Sequence, residues 1–249
     1  MRTPFMAGNW KMYKTPAETN AFFEKFVPLV ANAAGREIVI NAPFVDLPAA
    51  VSATTGTNIG IGGQNLYWEN EGAYTGEISG PMLKAVGCGY VVIGHSERRQ
   101  YFCETDATVL KRTVAAIEAG LTPIVCVGES LEEREAGRTN DVLKAQFVGG
   151  IAGLNSEQFA KIVIAYEPVW AIGTGKTATP EIAGDAHKAI RTLVAHEFGA
   201  DAAAAVRILY GGSVKPNNVK ELMAVEDIDG GLVGGASLEA ESFAAIVNF

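Results

Sequence analysis

What this sequence has little of narrows its chemistry first. Cysteine occurs three times, at Cys88, Cys103 and Cys126, an odd number with no CxxC pair and no metal-like spacing. No metal site and no disulfide framework are expected. The three thiols read as small buried apolar residues in a reduced, cytoplasmic compartment. No run approaches 18 unbroken apolar residues, so no membrane-spanning helix is expected, and the opening MRTPFMAGNWKMYK holds no hydrophobic signal core. Positive charge is short as well: 20 Lys and Arg stand against 28 Asp and Glu, a net charge of −8. Without a basic field, a nucleic-acid partner is not expected.

What is present describes a packed protein. Hydrophobic residues make up 48% of the 249 and charged residues 19%, a balance that excludes general disorder. Glycine is plentiful, at 28, while proline, at 10, is ordinary. Short apolar runs recur at 5–11, 37–42, 59–64, 90–94, 123–127, 162–166, 206–210 and 228–234, mostly unbroken rather than alternating. That is the pattern of parallel strands covered on both faces.

Stretches with helix signals lie between the runs. Thr15-Pro16-Ala17-Glu18 and Ser130-Leu131-Glu132-Glu133 are capping boxes, and Phe22, Phe26 and Val30 follow the first on one face. Thr179-Pro180-Glu181 opens a third helix, with Ile182, Ala186, Ile190 and Val194 along one side. Lys215-Pro216 and Ser237-Leu238 read as two further starts. Strands alternating with helices imply parallel βαβ units. An open nucleotide-binding sheet would carry GxGxxG after its first strand, where this chain has Ala7-Gly8-Asn9-Trp10-Lys11. Eight strand–helix units in about 250 residues fit a closed α/β barrel, the (β/α)8 TIM barrel, with one domain expected over 1–249.

Chemistry in such a barrel sits where the strands end. Asn9 and Lys11 close the first run and, by strand alternation, would share a face. His95 follows the fourth run and Glu167 the sixth. An ammonium, an imidazole and a carboxylate meeting at one mouth form an acid/base site. His187 and His196 fall within a helical stretch and read as surface or packing residues. After Glu167 comes an apolar, glycine-containing segment through Ile172, Gly173 and Gly175 to Thr177. Its GTGKT is not a phosphate-binding P-loop, because GxxxxGK[ST] needs glycine where Trp170 stands. A mobile lid that excludes water fits it better. Gly211-Gly212-Ser213 and Gly234-Gly235 end the seventh and eighth runs, where barrels commonly hold phosphate on backbone N–H groups.

Five segments carry a resemblance: Gly8-Asn9-Trp10-Lys11-Met12, Gly94-His95-Ser96-Glu97-Arg98-Arg99, Tyr166-Glu167-Pro168 continued to Gly175, Tyr210-Gly211-Gly212-Ser213-Val214, and Leu232-Val233-Gly234-Gly235-Ala236-Ser237. In order and spacing, across the whole chain, they resemble the triosephosphate isomerase family. The resemblance implies reversible interconversion of dihydroxyacetone phosphate and D-glyceraldehyde 3-phosphate through an enediolate, without cofactor. It implies Glu167 as base, neutral His95 as electrophile, Lys11 and Asn9 at the developing oxyanion, and phosphate on Gly173, Ser213, Gly234 and Gly235. It further implies that Ile172 and Leu232 press on the base, that Glu97 orients Lys11 or Ser96, and that Arg191 and Asp227 brace the barrel. The loop from Asn65 to Ser79 would enter a second subunit, Thr75 reaching the partner's Asn9 and the partner's Lys11, with Gln64 and Glu104 in the interface region of a homodimer. Cys103 departs from the glycine common there and would be strained at a positive φ.

Two other readings are open to the residues. A barrel enzyme for a larger sugar phosphate would need a differently shaped mouth, and an aldolase would need a Schiff-base lysine inside the barrel, where Lys11 is the only lysine in the runs. A non-catalytic binding barrel would be expected to lose one of Lys11, His95 or Glu167, and all three are present.

Overall fold

In a computed structural model that describes residues 2–174 and 176–249, the apolar runs become eight parallel strands. They are β1 (Phe5–Asn9), β2 (Glu37–Asn41), β3 (Ile59–Gly63), β4 (Tyr90–Ile93), β5 (Thr122–Val127), β6 (Val163–Tyr166), β7 (Ile208–Tyr210) and β8 (Gly230–Val233). Each pairs with the next, and the ring closes where β1 lies between β2 and β8, Ala7 facing Val39 on one side and Leu232 on the other. Both faces of every strand are covered, which is why the runs are continuously apolar. Phe5, Ala7, Val39, Val92, Ile124, Cys126, Val163, Ala165, Leu209 and Leu232 fill the barrel interior. Their alternates, such as Met6, Ile40, Val125 and Ile164, pack outward against the helices.

The helices form where the caps predict. Thr15 and Glu18 close a reciprocal capping box on the helix Pro16–Val30, which buries Phe22, Phe23, Phe26 and Val30. Phe26 stacks on Phe243 from the helix Ala240–Val247, with ring centroids 5.3 Å apart. Each such ring contributes about 2 kcal/mol by its removal from water. Ser130 caps Leu131–Glu135 and Thr179 caps Pro180–Phe198. Ala186, Ile190 and Val194 are buried on the latter.

Some expectations need correction. The helix after β7 is Val219–Met223, so Lys215-Pro216 opens a turn rather than a helix. Asn218 explains the delay: its Oδ1 accepts from Lys215 N–H at 2.7 Å and its Nδ2 donates to Ser213 O at 2.9 Å. Ser237-Leu238 ends a 3-10 turn, Gly235–Ser237, and the last helix starts at Ala240. Cys88 and Cys126 are buried, but Cys103 is exposed and sits at φ 55. His187 is fully buried and His196 exposed.

Candidate active site

The predicted residues meet at the end of the barrel where the strands finish. Asn9, Lys11, His95, Glu167, Gly173, Ser213, Gly234 and Gly235 all line one cavity of about 420 Å³, with Ile172 and Leu232. Gly175 lies outside the described residues.

Each side chain arrives by a local device. Strand β1 ends at Asn9, so strand alternation does not carry Lys11 to the mouth, contrary to expectation. A left-handed turn does, with Lys11 at φ 54. Such a conformation costs a non-glycine residue about 1 kcal/mol and needs external support. Asn9 Oδ1 accepts from Lys11 N–H at 3.0 Å, and Gln64 Nε2 donates to Lys11 O at 2.8 Å. The amide nitrogen of Asn9 is thereby left to donate elsewhere. Lys11 Nζ donates to Glu97 Oε1 at 2.6 Å.

His95 caps the helix Ser96–Tyr101, and its Nδ1 accepts from Glu97 N–H at 3.2 Å. An accepting Nδ1 carries no proton, so this geometry assigns the ring's proton to Nε2, which lies 2.8 Å from Glu167 Oε1. The second oxygen of Glu167 accepts from Ser96 N–H at 2.8 Å.

Both groups are buried, and burial alone would push each toward its neutral form. For Glu167 that pressure is outweighed by His95, the Ser96 N–H and Lys11, which hold its pKa below the usual carboxylate value. For His95, burial opposes the charge while Glu167 and Glu97 lift the pKa above its ordinary value. Each shift depends on the contact between the two side chains.

The glycines divide into two kinds. A Cβ on Gly211 would stand 2.9 Å from Glu167 Cγ, and one on Gly212 would stand 2.2 Å from the Tyr210 hydroxyl. That pair is therefore explained by packing. A Cβ on Gly235 would meet nothing within 4 Å, and one on Gly234 only Lys11 Cε at 3.5 Å. Here the bare backbone faces open cavity at the start of a 3-10 turn, whose first N–H groups have no partner within the turn. Gly173, at φ 68, occupies a left-handed position suited to glycine.

Behind the segment that follows β6 lies a carboxylate outside the expected set. Glu129 Oε1 accepts from the Tyr166 hydroxyl at 3.0 Å and from Trp170 Nε1 at 2.9 Å, tying the end of β6 and the turn after it to the loop after β5. It is fully buried. The signal was available, since Val127-Gly128-Glu129 has the same form as Ile93-Gly94-His95, the strand end that exposed His95. Tyr13 and Lys215, which also line the cavity, carried no such pattern.

A profile for the family Triosephosphate isomerase matches residues 4–249. The chain is 70% identical over its full length, and all of the relative's, to triosephosphate isomerase of Solibacter usitatus. It is 57% identical, again over all of both chains, to that of Caldanaerobacter subterraneus subsp. tengcongensis. The crystal structure of triosephosphate isomerase from Bartonella henselae superposes with a TM-score of 0.89 at 41% identity, covering 99% of this chain and 98% of that one.

Proposed function

The chain belongs to the triosephosphate isomerase family, and from that premise we propose that Glu167, His95, Lys11 and Asn9 carry out its reaction. It is an isomerase of triose phosphates, interconverting dihydroxyacetone phosphate and D-glyceraldehyde 3-phosphate in glycolysis and gluconeogenesis. The observation that carries the residue roles is the meeting of a carboxylate, an imidazole and an ammonium in one cavity, with the first two 2.8 Å apart.

In the resting arrangement Glu167 occupies the Nε2 proton of His95 and the N–H of Ser96. Substrate competes for the first of these. When Glu167 swings to the substrate carbon it gives up both partners while Ile172 and Leu232 keep water from it. The contacts that depressed its pKa go and the desolvation stays, so its basicity rises at the moment of use. Glu167 takes a proton from the carbon beside the carbonyl and returns it to the neighbouring carbon. The freed Nε2–H of neutral His95 donates to the oxygen that gains charge, and His95 shuttles protons between the two oxygens. Lys11 and the Asn9 amide stabilise the same enediolate. Preorganised donors of this kind are worth roughly 3 kcal/mol each. No metal or organic cofactor enters the step.

The phosphate lies on the N–H groups of Gly173, Gly234 and Gly235 and beside Ser213. Closing the lid over it keeps the enediolate from losing phosphate to solvent. The barrel acts as one functional unit over 1–249, in the cytoplasm. No helix among the described residues is long and apolar enough to cross a membrane.

The second copy of the chain is the partner we assign to the exposed apolar residues near the mouth. Met12 is 93% exposed, and Tyr13, Val45, Tyr101 and Phe102 are also exposed. The loop from Asn65 to Ser79 is built to meet them. Tyr67 stacks on Trp68 with centroids 4.1 Å apart and packs on Tyr74 at 4.6 Å, while Lys111 and Arg112 lie over the Trp68 ring. Such a loop loses little entropy on docking.

A coupled assay tests the reading. The purified protein, with a chelator present, interconverts the two triose phosphates, and Glu167→Gln lowers turnover by orders of magnitude while binding of a triose phosphate persists. Turnover like the wild type in that variant would remove Glu167 from its role. Light scattering at the assay concentration gives twice the chain mass if the homodimer holds.

A further inference from the structure

We propose that Lys215 is a specificity-determining residue that draws the substrate's phosphate into the mouth, acting on capture and not on proton transfer. It rests on the phosphate position given above. Among the described residues, the charged side chains lining the cavity are Lys11, Glu167 and Lys215. Lys11 is already compensated, its ammonium 2.6 Å from Glu97. Lys215 is exposed, and no carboxylate of the described residues lies within ion-pair distance of it. Of the cations lining the cavity among the described residues, the uncompensated one is therefore Lys215.

Its position is fixed although its tip is free. Asn218 ties the backbone on both sides, accepting from Lys215 N–H at 2.7 Å and donating to Ser213 O at 2.9 Å. Pro216 biases Lys215 toward extended backbone. The ammonium is thus tethered two residues beyond Ser213, at the phosphate end of the cavity. A protein with a net charge of −8 repels a phosphate dianion at long range. A local cation at the entrance reverses that field where it matters, and because it is exposed its pull is screened by salt.

Steady-state kinetics of Lys215→Gln and Lys215→Arg at low and high salt test the proposal. At low salt, Lys215→Gln is expected to lower kcat/KM for the triose phosphates roughly two- to fivefold with kcat unchanged. The deficit closes at high salt, Lys215→Arg restores the wild-type value, and phosphate-free D-glyceraldehyde is turned over alike by all three proteins. An equal fall in kcat, the same loss on D-glyceraldehyde, or a deficit indifferent to salt would overturn it. Titrating the wild type with inorganic phosphate, read by amide resonances, separates the two claims. Shifts at Ser213, Gly234 and Gly235 support the phosphate position, and their absence overturns that position whatever Lys215 does.

Discussion

Where the strands begin, Glu37 accepts from the Tyr90 hydroxyl at 2.7 Å and pairs with Arg207, whose guanidinium lies over the Phe5 ring. Nearby, Asp229 pairs with Arg2, takes Arg191 Nη2 at 2.7 Å, and accepts from Ile208 N–H at 2.8 Å. Where the strands end, the same kinds of group meet in looser company. Glu167 holds an imidazole and one backbone N–H, and Lys11 holds a half-exposed carboxylate from a strained turn. The first set saturates itself with partners that no ligand can replace, so it braces the barrel. The second set is satisfied by partners a substrate can displace, so its satisfaction is provisional. A buried carboxylate gives stability or chemistry according to what holds it.

That contrast can be broken from either end. The largest effect is expected at the mouth: His95→Gln should lower kcat roughly 100- to 1,000-fold, with a thermal midpoint near that of the wild type, checked by the coupled assay beside a melting curve. At the other end, Asp229→Asn should cost about 2–3 kcal/mol of stability after allowing for solvent at Arg2, with kcat within twofold of the wild type, roughly the reach of a substitution that leaves the site's geometry intact. Urea titration measures the first quantity. An Asp229→Asn protein that lost activity while keeping its stability would erase the distinction.

A third environment sharpens it. His187 is buried between the helix Pro180–Phe198 and the barrel, edge-on to Tyr166, and burial drives its pKa down to about 3. The unfolded ring, with a pKa near 6.5, takes up a proton that the folded ring refuses. The stabilising contribution is therefore complete above pH 6.5 and is lost as pH falls toward 3. Between pH 6.5 and 4.5 the wild type should lose roughly 2–3 kcal/mol on this account, with the His187 resonances still those of a neutral ring at pH 4.5. An imidazolium there would remove the explanation.

The smallest effect concerns Cys103, held at φ 55 on an exposed turn. Cys103→Gly should raise stability by about 0.5–1 kcal/mol, measured by urea titration.

How much of this was legible in the sequence follows from which interactions are local. Continuous apolar runs disclosed strands buried on both faces, and the Thr15, Ser130 and Thr179 caps marked helix starts because a cap is a contact between residues three apart. The meeting of Lys11, His95 and Glu167 could be read because barrel closure brings every strand end to one rim. Other features were hidden because they are set across the fold. The left-handed turn at Lys11 is held by Gln64, 53 residues away. The packing role of Gly211 depends on Glu167, and the exposure of Cys103 on a turn that its neighbours do not announce. Glu129 is the instructive omission, for its own strand end displayed it.

A structure of the protein with a phosphate-bearing analogue of the enediolate tests the idea of provisional partners most directly. Glu167 is expected to leave His95 Nε2 and Ser96 N–H, with an oxygen of the analogue accepting the Nε2 hydrogen bond and the segment after Glu167 covering the phosphate. A bound analogue with the Glu167 carboxylate still 2.8 Å from Nε2 would contradict it.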